Sequence, residues 1–187
     1  MGKILGFVGS PRRGGNTDLL VQEVLAGARE AGADTDLVHL ADLNIRECDG
    51  CHACWRGKPC SKRDDMAEIY RKISAADVLI FGTPVYWYGP SGLMKLLIDR
   101  FVYFNCPANR IQVRGKTAAV VIPFEEETLE TAQPVAEFFA KSLAYLEIRL
   151  YGRLLAPGVT ARGAAAQKEK LIEQARTMGR ACVAPME

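Results

Sequence analysis

The segment Gly9-Ser-Pro-Arg-Arg-Gly-Gly-Asn-Thr17 lies between the apolar run Ile4-Leu-Gly-Phe-Val8 and a helix-patterned stretch opening at Asp18. A buried strand that empties through a Gly/Ser-rich loop into a helix commits the chain to an α/β arrangement. It also leaves unpaired backbone N–H groups and the positive end of the helix dipole aimed at one spot, which suits a phosphate. Ser10, Asn16 and Thr17 can add hydroxyl and amide hydrogens, and Arg12 or Arg13 can add charge. Gly9 and Gly14 have P-loop spacing, but Gly15 stands where the lysine must be. The dinucleotide fingerprint is also absent after this strand, so a terminal monophosphate fits best. The competing reading is an ordinary strand–helix turn, in which Gly and Ser are common anyway.

The rest of the chain repeats the alternation. Strands are expected over Ile4–Val8, Thr35–Leu40, Val78–Phe81, Thr117–Ile122 and Ile148–Leu154, the last half-exposed at an edge. Helical spacing links Leu20, Val24, Ala28 and Ala31, and then Met66, Ile69 and Ile73 behind Asp64. It recurs in Leu93, Leu97 and Phe101 after Ser91, and in Val135, Phe139, Leu143 and Leu146 after Pro134. A closing helix is expected from Gln167 to Ala184. The pattern is a three-layer sandwich around a parallel sheet, with ligands bound beyond the carboxyl ends of the strands. Two stretches read as long irregular loops, Asn44–Arg63 and Tyr103–Gly115, and loops of that length are usually functional.

The length of 187 residues suits one domain, 1–187. A net charge of +2 with scattered basic residues argues against nucleic acid. No apolar run approaches a membrane span and strand patterning starts at Lys3, so no membrane association and a cytoplasmic location are expected.

After the third strand the chain reads Gly82-Thr-Pro-Val-Tyr-Trp-Tyr-Gly-Pro-Ser91. Pro84, Val85, Tyr86, Trp87 and Tyr88 at a strand's carboxyl end can flank a planar ring; the alternative is an aromatic cluster that seals the core. Beside a phosphate cradle, a flat ring describes flavin mononucleotide. The segment Cys48-Asp-Gly-Cys51-His-Ala-Cys54-Trp-Arg-Gly-Lys-Pro-Cys60 spaces four thiols by two, two and five residues. That spacing follows the logic of [4Fe–4S] ligation, with empty thiols and then zinc as alternatives. Cys106 and Cys182 read as packed thiols and His39 as a satisfied structural residue. His52 reads as a bystander between two cysteines, and Glu125–Glu127 as a solvated loop edge. No nucleophile stands beside a matched base.

Together these motifs resemble the iron–sulfur flavoprotein branch of the NAD(P)H-dependent FMN reductases, within the flavodoxin-like superfamily. The likeness runs from Lys3 to about Arg100. It is carried by the phosphate loop, the cysteine motif, Asp64-Asp-Met66, Thr83-Pro-Val-Tyr86 and Lys95-x3-Asp99-Arg100. The resemblance implies a flavodoxin-like fold with a five-stranded parallel sheet in the order 2-1-3-4-5, and a cysteine-rich loop at 44–63. It implies FMN phosphate near Ser10, Arg12, Asn16 and Thr17, with the ring against Pro84 to Tyr88. Further implications are NAD(P)H or ferredoxin as reductant, a small-molecule or protein redox partner, and a homodimer or tetramer with FMN near a subunit interface. A cluster-free flavin or quinone reductase and a non-enzymatic electron carrier are the competing readings. Flavin carries the chemistry in all of them, so the missing catalytic triad is no obstacle.

Overall fold

The structure is a computed structural model that describes residues 2–183. Strands β1 (Lys3–Val8), β2 (Asp34–His39), β3 (Val78–Gly82), β6 (Thr117–Pro123) and β7 (Arg149–Ala156) form one parallel sheet. Val85–Tyr86 and Gly89–Pro90 form a separate two-stranded hairpin, β4 and β5. The sheet order is β2-β1-β3-β6-β7. This corrects the expected 2-1-3-4-5: the stretch read as an aromatic loop after β3 supplies two short strands of its own. The sheet strands, taken alone, follow one another across the sheet as the sequence suggested.

Along β1, β3 and β6 successive side chains point to opposite faces, and both faces are covered. Leu5, Phe7, Leu79, Phe81, Val120 and Ile122 pack under α2 (Met66–Ala75), α3 (Gly92–Asp99) and α6 (Gln133–Tyr145). Ile4, Val8, Val78, Ile80 and Val121 pack under α1 (Asn16–Glu30) and α7 (Glu169–Ala181). Helices α1 and α7 touch backbone to backbone. A Cβ on Gly27 would stand 2.1 Å from the Arg176 carbonyl oxygen, and one on Gly179 would stand 1.9 Å from that of Val24.

Several expected boundaries shift. Leu40 leaves β2 for a 3-10 turn, Ala31 caps α1 instead of continuing it, and Phe101 falls beyond α3. The closing helix ends at Ala181; Ala184 lies outside the described residues. Tyr103–Gly115 is not irregular throughout, because α4 (Val102–Asn105) and α5 (Pro107–Arg110) occupy much of it. Helices that short carry no readable periodicity. In β7 the strict alternation fails at a register shift between Ala118 and Ala119, so Leu150 and Leu154 pack on opposite faces of the sheet. Among the described residues no helix is long and apolar enough to cross a membrane.

Candidate cofactor site

A cleft opens where β1, β3, β6 and β7 end. Its walls are the first loop (Ser10, Arg12, Gly15–Thr17), Pro84–Tyr86, Pro123–Glu125, and Val159, Thr160 and Arg162 after β7. Helix α1 begins at its edge with no side-chain cap on Gly15. The N–H groups of Asn16, Thr17 and Asp18 have no protein partner among the described residues. Thr17 is buried; its methyl side presses towards Gly82, where a Cβ would lie 3.0 Å from Thr17 Cγ2 and 2.3 Å from Val21. Its hydroxyl makes no hydrogen bond among the described residues. Arg12 is exposed and has no ion-pair partner among the described residues, whereas Arg13 is committed to Asp42.

Three candidates behave differently from the sequence reading. Both amide hydrogens of Asn16 go to the carbonyls of Val159 (2.8 Å) and Ala161 (3.0 Å), and its Oδ1 accepts the N–H of Ala165 (3.0 Å). Its side chain therefore holds the loop after β7 against the first loop and is not free for a ligand. Trp87 and Tyr88 do not line the cleft. They form the tip of the β4–β5 hairpin with φ of 49° and 59°, and Trp87 is 99% exposed.

The organisers that sequence reasoning missed are long-range hydrogen-bonding groups. Asp18 is buried and accepts from the Gly14 N–H (2.7 Å), Gln22 (2.7 Å) and His39 Nε2 (2.9 Å). Burial alone would raise its pKa, but these partners, Gly14 foremost, hold the carboxyl below its ordinary value. The link fixes Gly14 at φ +64°, which a side chain would strain. Ser91 caps α3 by accepting from Met94 (3.2 Å) and donates to the Gly9 carbonyl (2.5 Å), while Thr83 Oγ1 accepts from the Ser91 N–H (3.0 Å). The first loop and the aromatic segment are thereby clamped together. Arg162 donates to the Arg13 carbonyl at the cleft rim.

The cysteine loop is closed at its base. Asn44 exchanges hydrogen bonds with Asp65, and the Arg46 N–H donates to Asp64 Oδ2 (2.9 Å). Lys62 pairs with Asp49 (2.8 Å), pulling that exposed carboxyl down to about 2. All four candidate thiols, Cys48, Cys51, Cys54 and Cys60, line one small cavity. Burial pushes the Cys54 thiol up, the Cys106 thiol donates to the Cys54 carbonyl (3.2 Å), and Cys51 meets Ser61 (3.1 Å). The donors thus suit an iron–sulfur cluster in kind and number. Among the described residues, however, no three His, Cys, Asp or Glu side chains converge into a metal-holding group, and every cysteine is a free thiol.

A larger groove of about 620 Å³ lies between this loop and α2. Its cations are spent on acids of the chain: Lys62 on Asp49, Arg71 on Glu68 and Arg100 on Asp64. The unpaired N–H groups of Asn16, Thr17 and Asp18 lie instead at the smaller cleft.

A doubly wound parallel sheet with an uncapped helix N-terminus and the Pro84–Tyr86 wall at its carboxyl edge defines a flavodoxin-like α/β protein. The profile of the family described as NADPH-dependent FMN reductase matches residues 2–185, and the chain belongs to that family. An iron–sulfur flavoprotein of Methanocaldococcus jannaschii is 44% identical over 98 residues, 52% of this chain and 51% of that protein. YwqN of Bacillus subtilis, provisionally named an NAD(P)H-dependent FMN-containing oxidoreductase, is 36% identical over 161 residues, 83% of this chain and 85% of its own. The chain spans about half the length of the iron–sulfur flavoproteins it matches. Among solved structures, an NAD(P)H:quinone oxidoreductase from Methanothermobacter marburgensis superposes with a TM-score of 0.73 at 20% identity, covering 99% of this chain and 96% of that one. That likeness speaks for the fold.

Proposed function

We propose that residues 1–187 form one flavodoxin-like domain acting as an FMN-dependent oxidoreductase, which takes electrons from NAD(P)H or ferredoxin and delivers them to a small-molecule or protein acceptor. The observation that carries this reading is the set of unpaired Asn16, Thr17 and Asp18 N–H groups beside the free Thr17 hydroxyl and Arg12. These groups would hold the FMN phosphate, with Ser10 completing the cradle and Pro84–Tyr86 flanking the ring. FMN, when bound, supplies hydride and electron transfer. The chain's own residues bind, orient and shield it.

Cys48, Cys51, Cys54 and Cys60 would hold a [4Fe–4S] cluster, a one-electron carrier beside the flavin. The spacing, the shared cavity and the names of the archaeal relatives support this assignment. The separation of the thiols from any ligating arrangement favours a second reading, a cluster-free NAD(P)H-dependent reductase of the same flavin site. Trp87 and Tyr88, turned away from the cleft, would face a second copy in a homo-oligomer.

The test is an anaerobic preparation reconstituted with FMN, iron and sulfide. Stoichiometric flavin whose peaks bleach with NAD(P)H supports the enzyme, and absence of bound flavin overturns it. Close to four irons per chain, lost in Cys51→Ser/Cys54→Ser, separates the cluster reading from the cluster-free one.

A further inference from the structure

Arg100 heads the fully buried side chains by size among the described residues. Its guanidinium works as a fork. Nη1 donates to the Arg46 carbonyl (2.8 Å) and to Asp64 Oδ2 (2.5 Å), and Nη2 donates to Asp64 Oδ1 (3.2 Å) and to Cys60 Sγ (3.3 Å). The Tyr70 hydroxyl braces the Arg100 carbonyl from below (3.2 Å). One ion pair, 1% and 0% exposed, therefore touches the entry of the cysteine loop at Arg46, its exit at Asp64 and one of its four thiols. Removing both charges from water offsets much of their attraction, so such a pair is a poor way to gain stability and a good way to fix geometry. A lysine would supply the charge but not the planar fork.

We infer that Arg100 is a positioning residue for the cysteine centre. Its Nη2–H holds Cys60 in place as the fourth ligand and raises the reduction potential of the cluster by donating a hydrogen bond to a ligating sulfur. The inference rests on the cluster reading above. Hydrogen bonds to the sulfurs and the local charge set the potential of such clusters. A donated N–H and a cation beneath the site both favour the more negative, reduced form.

The test compares the full-length wild type with Arg100→Lys and Arg100→Gln. In the apoprotein, hydrogen exchange of the Arg46 amide and of the loop it anchors should quicken by about tenfold or more in Arg100→Lys, because the Arg46 N–H loses Asp64 as a fixed acceptor. The Asn44 amide, held by Asp65, serves as an internal control. After anaerobic loading with iron and sulfide, Arg100→Lys should hold its cluster at a more negative midpoint potential than wild type. Unchanged exchange together with an unchanged potential would overturn the inference. If the wild type takes up no iron, the cluster reading fails, and the exchange arm alone then decides whether Arg100 latches the loop. If neither variant folds, a freely exchanging Arg46 amide in the wild type would equally rule the latch out.

Discussion

At the residue scale, the cleft separates side chains that would touch a ligand from side chains that hold the walls. Thr17 belongs to the first group, since its hydroxyl has no partner among the described residues. Thr17→Val preserves shape and removes only that hydroxyl, so it should weaken FMN binding by about 1–2 kcal/mol, one charge-assisted hydrogen bond. Riboflavin, lacking the phosphate, should bind both proteins alike, and a flavin-quenching titration reads the difference. Asn16 belongs to the second group: Asn16→Ala should lower the melting temperature and loosen the loop after β7, because two carbonyls and an N–H lose their partner at once. Asp18 makes the site sensitive to acid. Its folded pKa lies below the ordinary 3.8, so its contribution to stability is complete above 3.8 and is lost as pH falls through the folded value. Asp18→Asn should flatten the acid limb of a melting-temperature profile below about pH 4; an unaltered limb would show that another carboxyl governs it. The first loop and the cysteines were legible in the sequence because their chemistry is written in adjacent residues. The roles of Asn16, Asp18 and Arg100 were not, because their partners Val159, His39 and Asp64 lie far away along the chain.

At the scale of elements, local preference and tertiary packing disagree in two informative places. Trp87 and Tyr88 both adopt left-handed backbone at a two-residue hairpin tip, a conformation suited to Asn-Gly and costly for bulky side chains. Replacing the pair with Asn-Gly should stabilise the isolated chain by about 1–2 kcal/mol, read from denaturant midpoints. No gain would mean that Trp87 and Tyr88 are packed in solution, as the proposed second copy would pack them. This hairpin is the element sequence reading took for a loop, because its four strand residues offer no alternation to count. The second place is Gly179 in α7. Helix propensity predicts that Gly179→Ala stabilises by about 1 kcal/mol. The 1.9 Å approach to the Val24 carbonyl predicts a net loss, since backbone cannot yield as a side-chain tip can. A higher melting temperature for this variant would mean that α1 and α7 pack less closely than described.

Across the whole molecule, the first loop is bound to the segment after β7, which the sequence places at the opposite end of the chain. Asn16 bridges to Val159, Ala161 and Ala165, and Arg162 reaches the Arg13 carbonyl. The cysteine loop instead closes on Asp64, Asp65 and Arg100, a separate set of anchors. A ligand that orders the first loop should therefore draw the distant segment with it. FMN at about one hundred times its dissociation constant should stabilise the fold by about 2.7 kcal/mol by mass action. Hydrogen exchange should show where that stabilisation lands: slowed exchange in 9–17 and in 157–165 together, with much smaller changes in 48–60. In Asn16→Ala the protection at 157–165 should shrink at saturating FMN while that at 9–17 persists. Protection confined to 9–17 in the wild type would show that the Asn16 bridges do not transmit binding; protection centred on 48–60 would place the flavin against the cysteine loop and displace the phosphate cradle from the first loop.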